Sequence, residues 1–417
     1  MKRTLIAFTV AITLTFTIAL PAAAQEVQYT KRPNNEMRDG PGNYYPLLYV
    51  FPPGIPLTIL KKEGGWFQSR VRGMDSANTS LAGWVSKYCL VDKTPERGAR
   101  RREFLMADPK ASPTSVAAAI RGFALRYGKT DAGSVDILMK VQAARFPPEE
   151  YRRFRSETGQ LALNRDVKPD LRKRYLDEYD VTIDERGVGL GVAAHIANSG
   201  LTDNQRLQKY LNLVATLLGE ASGAYDIPVT VLVLKGPRVT ALALPGGFIF
   251  VSERLIALCQ NEADLASVLA HEMMHIVMKH GVKEIHERIL NVKMDAAMKE
   301  LEEEVGGETD EAEGDLEDLA AESYDVVVNP RLQAYELEAD CGAALVLARA
   351  GYDPMALAGM IRRIERTVMA DTAVTEGNPF AGMDFKRRYE AIVPFINDEL
   401  SDVKGVLNAG RFSLYTK

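Results

Sequence analysis

Histidine is scarce in this chain, five residues in 417, yet two of the five stand in the run His271-Glu272-Met273-Met274-His275. On a helix, positions i and i+4 share a face, so both imidazoles can reach one metal ion. Glu272, next to the first imidazole, can then take a proton from a water that such an ion activates. A second pair lies in Tyr335-Glu336-Leu337-Glu338-Ala339-Asp340, where Glu336 and Asp340 are again four apart. One of these carboxylates can bind the metal while the other accepts a hydrogen bond from a ligand imidazole and fixes its tautomer. Three protein ligands and a position left for water make the catalytic form of a zinc site. Alone, the carboxylate pair would read as a solvated helix face; beside H-E-x-x-H it reads as chemistry.

The elements that must position these groups are visible around them. Asn261 can cap a helix whose third position is Asp264 and whose buried stripe is Leu265, Leu269, Met273 and Ile276. Asn329 and Pro330 suit the start of the second helix, and Gly351 before Asp353-Pro354 suits its end. Upstream, Leu207, Leu211, Val214, Leu217 and Leu218 form one stripe of a helix from Thr202 to Gly219. Extended runs follow at Pro228 to Leu234, Val239 to Leu244 and Phe248 to Val251, the last two joined by Pro245-Gly246-Gly247. The order of helix, strands, then helices predicts an α+β unit, mostly helical, with a small antiparallel sheet.

Residues 37–90 have a different texture, dense in Gly, Pro, Tyr and Trp with short alternating apolar runs, which is the composition of a small β-barrel. Met37-Arg38-Asp39-Gly40-Pro41-Gly42, Tyr45-Pro46-Leu47-Leu48, Gly64-Gly65-Trp66-Phe67 and Gly83-Trp84-Val85-Ser86 together resemble bacterial SH3 domains, a likeness that implies a cell-wall peptide or protein ligand. A basic stretch, Glu96 to Arg102, leads into helical patterns at Pro113 to Leu125 and Val135 to Val141, where no chemistry is evident. The first residues, Lys2-Arg3, an apolar stretch from Leu5 to Leu20 and Pro21-Ala22-Ala23-Ala24, read as a secretory signal cut after Ala24. That places the product in a periplasm or outside the cell, with no transmembrane segment in the mature chain. A formal charge of −5 gives no electrostatic footprint for nucleic acid. Three cysteines without paired spacing exclude a thiolate metal site.

From Val229 through Ala243-Leu244-Pro245-Gly246-Gly247-Phe248-Ile249, Ala263 to His280, Glu336 to Asp340 and Ala350-Gly351-Tyr352-Asp353-Pro354, the chain resembles the CAAX prenyl protease and HtpX family of zinc metallopeptidases. The resemblance implies a zincin-like domain over 186–370 that binds one Zn2+ through His271, His275 and Glu336, with Glu272 as general base and Asp340 orienting a ligand imidazole. It also implies a soluble protease acting on unfolded or misassembled envelope proteins. The organisation expected is a signal peptide (1–24), an SH3-like domain (25–92), a basic linker and helical region (93–185), the metallopeptidase domain (186–370) and a C-terminal extension (371–417). Two rivals from other classes are an inactive protease fold serving as a chaperone or adaptor, and a cell-wall-binding protein acting through the SH3-like domain. The chain departs from the family's pattern at Thr240, where asparagine is usual, and at Asn378-Pro379, where histidine-proline is common.

Other residues are read more plainly. His280 falls about 140° round a continuous helix from the ligand face, which predicts a cap or surface role. His195 and His286 have no paired context. Arg387, Arg388 and Tyr389 are candidates for stabilising the oxyanion. Substrate is expected along an edge strand at Phe248 to Val251. Whether Cys259 and Cys341 pair stays open. Residues 300–325, acidic and without Lys or Arg, read as solvated, although Met294, Met298, Leu301 and Val305 have the spacing of an amphipathic lid.

Overall fold

The computed structural model describes residues 26–32, 35–72, 80–95, 146–157, 168–176, 183–284, 333–370, 380 and 382–416. The signal segment, the helical patterns at 113–141, His286, the acidic segment with its lid residues, Asn329-Pro330 and Asn378-Pro379 lie outside the described residues. No described helix is long and apolar enough to cross a membrane.

Seven short strands form an N-terminal sheet: β1 Val27–Thr30, β2 Asn35–Arg38, β3 Leu47–Phe51, β4 Pro56–Glu63, β5 Trp66–Arg72, β6 Ser80–Ser86 and β7 Leu90–Val91. Their order is β3-β2-β6-β5-β4-β1-β7, and every pairing is antiparallel. A 3-10 turn at Lys87–Cys89 links β6 to β7, and Met37, Phe51, Leu57, Val71, Val85, Cys89 and Leu90 fill the core. The β4–β5 hairpin turns on Gly64-Gly65, with Glu63 paired to Trp66. Gly64 takes φ 58, which a side chain would resist. Gly65 serves contact instead, because a Cβ there would lie 2.5 Å from the Tyr225 ring.

That contact belongs to a docking surface between the sheet and the helical part. Tyr225 hydroxyl donates to Gly65 O at 2.8 Å and lies 2.9 Å from Ser86 Oγ. Arg32 Nη1 donates to Asp226 Oδ2 at 2.7 Å with both side chains buried, and Asn43 Nδ2 donates to Ile227 O at 3.1 Å. All three partners, Tyr225, Asp226 and Ile227, sit in one turn.

The remaining elements are α1 Pro148–Glu157, α2 Pro169–Tyr175, α3 Ile183–Ala197, α4 Gln205–Ala221, β8 Thr230–Leu234, β9 Ala241–Leu244, β10 Phe248–Ser252, α5 Glu253–Ile256, α6 Glu262–Val277, α7 Gln333–Ala350, α8 Met355–Ala370, α9 Phe385–Glu399 and α10 Ala409–Thr416. The expected antiparallel sheet is in fact mixed. Its order is β8-β10-β9, with β10 parallel to β8 and antiparallel to β9. Every residue of the three strands is buried, which explains why they read as unbroken apolar runs rather than alternating ones. The strand expected at the edge, Phe248 to Val251, is the central one; β9 is an edge.

One apolar core takes in more of the chain than residues 186–370. Phe146, Tyr151, Phe154 and Tyr175 from the expected linker region, and Ile392, Ile396 and Phe412 from the expected extension, pack into it. Glu262, 0% exposed at the first turn of α6, shows how the ends are tied in. It accepts from Tyr210 hydroxyl at 2.8 Å, Tyr352 hydroxyl at 2.7 Å, Asn408 Nδ2 at 3.2 Å and Arg411 Nε at 2.6 Å, with a second bond from Arg411 Nη2. A buried carboxylate stripped of its cationic partner destabilises strongly, so Arg411→Met should cost about 3–5 kcal/mol in urea unfolding. A loss under about 1 kcal/mol would show that the neutral donors suffice.

Candidate metal centre

Helix α6 begins as its sequence dictates: Asn261 Oδ1 accepts from Asp264 N at 2.9 Å, satisfying an amide the helix leaves bare. From Glu262 to Ile276 every residue is buried, so the face carrying His271 and His275 lies inside the protein. Helix α7 packs alongside. Gly342 allows the approach, since a Cβ there would lie 2.5 Å from Met274 Cε. The two i, i+4 pairs therefore meet.

His271 Nε2 and His275 Nε2 are 3.1 Å apart. Glu336 Oε2 lies 3.2 Å from the first and Oε1 3.4 Å from the second. One ligand atom from each of the three residues falls within 4.8 Å of the others. Asp340 stands behind: its Oδ1 is 2.9 Å from His271 Nδ1, the nitrogen that faces away from the cluster. Glu272 is 6% exposed and, with His271, borders a pocket that is partly open to solvent. Val268, Leu357, Met360, Ile361, Ile364 and Phe385 make most of that pocket apolar.

Arg388, on α9, enters from 48 residues beyond Asp340. Its Nε donates to Asp340 Oδ2 at 2.8 Å and its Nη2 to Oδ1 at 2.7 Å, a two-pronged pairing, while Nη1 lies 3.1 Å from Glu336 Oε2. Of the three oxyanion candidates, Arg388 is the one at the cluster. Arg387 is exposed, and Tyr389 stacks under Arg362 with its ring 4.0 Å away. His195 is not in the cluster, and Cys259 and Cys341 are free thiols. His280, expected at a cap or surface, is fully buried beside His275. The spacing argument missed it because α6 does not continue that far.

The electrostatics are those of a cation site. Burial and the Arg388 charge disfavour a proton on His271, yet the Asp340 and Glu336 carboxylates hold its pKa up at about 9. Burial works against ionising Glu336 and Asp340 as well, but Arg388 and the imidazoles hold both below the usual carboxylate range, Glu336 well below it. Glu336 Oε2 accepts no aligned hydrogen bond despite its charged neighbours. Two imidazole nitrogens and a carboxylate that converge in this way fit a divalent metal ion.

Arg388→Met would leave two buried carboxylates facing only imidazoles. The metal-free chain should lose about 3–5 kcal/mol of stability, and added divalent metal should restore more than it adds to the wild type. Equal stabilisation of both proteins by metal would show that Arg388 does not balance the cluster's charge.

Comparison with known proteins agrees with this geometry. Residues 202–395 match the model of peptidase family M48. Mitochondrial metalloendopeptidase OMA1 of Schizosaccharomyces pombe is 37% identical over 76 residues, 18% of this chain and 23% of that protein. The beta-barrel assembly-enhancing protease of Yersinia pestis is 24% identical over 170 residues, 40% of this chain and 35% of that protein. Mitochondrial metalloendopeptidase OMA1 of Arabidopsis thaliana is 28% identical over 153 residues, 36% and 29% of the two chains. The aligned segments thus cover little more than a third of these relatives at most. The family match spans all three residues of the cluster, and residues 202–395 of this chain are similar to a peptidase domain of family M48.

Proposed function

We propose that this chain is a zinc-dependent endopeptidase that cleaves extended segments of unfolded or misassembled envelope proteins. The observation that carries the reading is the convergence of His271, His275 and Glu336, with His271 and Glu272 bordering an apolar pocket. Those three residues would hold Zn2+, which when bound lowers the pKa of water and draws charge from a carbonyl oxygen. Asp340 holds His271 in the tautomer that presents Nε2 to the cluster. Glu272 takes the proton from the attacking water and returns it to the leaving amine, so one carboxylate serves as base and then as acid. Arg388 keeps Asp340 and Glu336 ionised and fixed in place.

Substrate recognition follows from the same surroundings. Ala241 of β9 borders the pocket, so an extended peptide lying across it would place a side chain over it. An apolar residue fits that lining. Folded proteins bury such residues and unfolded ones present them, which selects for damaged substrates without a recognition sequence.

The N-terminal antiparallel sheet, with its 3-10 turn before the last strand, supports the bacterial SH3-like reading and a cell-wall or protein ligand. The residue pattern of 1–24 supports export to a periplasm or beyond. The segments that carry the CAAX protease and HtpX likeness contain all three residues of the cluster, which supports that branch.

Glu272→Gln should keep about one zinc per chain while cleavage of unfolded casein falls by roughly 10²–10⁴-fold, because the ligands remain and the proton carrier is lost. Cleavage within about tenfold of wild type would remove Glu272 from the mechanism. His275→Ala should instead lose metal and cleavage together. Stoichiometric zinc in that variant would mean that other residues bind it.

A further inference from the structure

His280 lies beyond the H-E-x-x-H run, and the backbone explains how it returns to it. Helix α6 ends at Val277, with Met278 N donating back to the carbonyls of Ile276 and Met274. Lys279 then takes φ 56, a left-handed conformation that a lysine adopts at a cost of about 1–2 kcal/mol. The helical run breaks there and resumes as a helical turn over 280–284. His280 is thereby carried under the end of α6, where it is 0% exposed.

Its contacts are specific. His280 Nδ1 is 2.9 Å from His275 Nδ1, and the two rings meet edge to face at 5.0 Å. The His280 ring stacks on Tyr335 at 4.4 Å and 10°. On its far side Nε2 lies 3.4 Å from Glu338 Oε2, an electrostatic approach rather than an aligned hydrogen bond. Tyr335 and Glu338, three apart on α7, flank the stripe that carries Glu336 and Asp340.

The proton positions follow from ligation. His275 Nε2 faces the cluster, so a metal there requires its lone pair, which leaves the ring's proton on Nδ1. That proton is donated to His280 Nδ1. His280 must then carry its own proton on Nε2, on the Glu338 side. We propose that His280 is a positioning residue for the metal ligand His275, backed by Glu338, as Asp340 is for His271. The proposal rests on the reading that the cluster binds zinc.

Charge explains why a histidine does this work and not a second buried acid. Glu272, Glu336 and Asp340 already face a single guanidinium, and another buried carboxylate would be costly. A neutral ring instead turns its Nε2 proton toward Glu338, whose side chain is 34% exposed and so remains solvated.

The test uses the full chain and measures zinc affinity by chelator competition, the visible spectrum of the Co(II)-loaded protein, and melting of the metal-free protein. His280→Phe keeps a ring on Tyr335 without the acceptor. Zinc affinity is expected to fall about 10–100-fold and the Co(II) spectrum to shift, with metal-free melting unchanged. His280→Asn, whose amide can sit near the former Nδ1, should stay within about threefold of wild type. Wild-type affinity in the phenylalanine variant, or equal loss in both variants, overturns the proposal. Glu338→Met decides the matter if the phenylalanine variant does not fold: several-fold weaker affinity upholds the relay, and unchanged affinity overturns it. A wild type that binds no zinc would instead remove the metallopeptidase reading itself.

Discussion

Helix α6 is buried on all sides from Glu262 to Ile276, so each ionisable group it carries must be satisfied by protein rather than water. That requirement organises the helices around it. Glu262 draws in Tyr210 of α4, Tyr352 after α7 and Arg411 of α10. Asp264 accepts from Gln260 N at 2.8 Å and pairs with Arg363 of α8 at 2.5 Å. His271 meets Asp340 of α7, and Asp340 meets Arg388 of α9. Apolar contacts would tolerate small sliding of these helices past one another; hydrogen bonds to buried charges do not.

The end of α6 that carries His271 and His275 meets the same constraint. Residues along α7 meet partners on α6 and just beyond it: Glu336 bridges His275 and His271, Asp340 faces His271, and Glu338 faces His280. Two packed helices, each with groups four residues and about 6 Å apart, can match pair to pair without backbone distortion. The close approach at Gly342 and Met274 sets the separation that this matching needs.

What the sequence made legible were features set by local geometry. The i, i+4 pairs and the Asn261 cap depend only on the helical period and on bare amides, and the structure places them as the spacing implies. His280 was misread because extrapolating the helical period assumed a helix that Lys279 interrupts, and a lysine gives no turn signal. Arg388 was one of three adjacent candidates, since only the tertiary rotation of α9 decides which side chain faces Asp340. The strand order was hidden for a related reason. Chain order suggests a hairpin with an outer last strand, whereas β10 inserts between β9 and β8 through a parallel pairing that no turn encodes. The helices at 148–157 and 385–399 joined the core through long-range packing that their own patterns do not specify.

Charge balance ties the ligand cluster to its surroundings more tightly than distance does. With their carboxylates ionised, Glu272, Glu336 and Asp340 present three negative charges, and Arg388 answers one of them while feeling all three. Two remain. In the metal-free chain that surplus is expressed as the pull of Asp340 and Glu336 on a His271 proton, strong enough to overcome burial and a neighbouring guanidinium. A single proton meets half of the surplus, and a dication meets all of it. The same carboxylates that would make an empty core unstable would thus give a bound dication its affinity, while Arg388 would keep their charge from exceeding what one ion can neutralise.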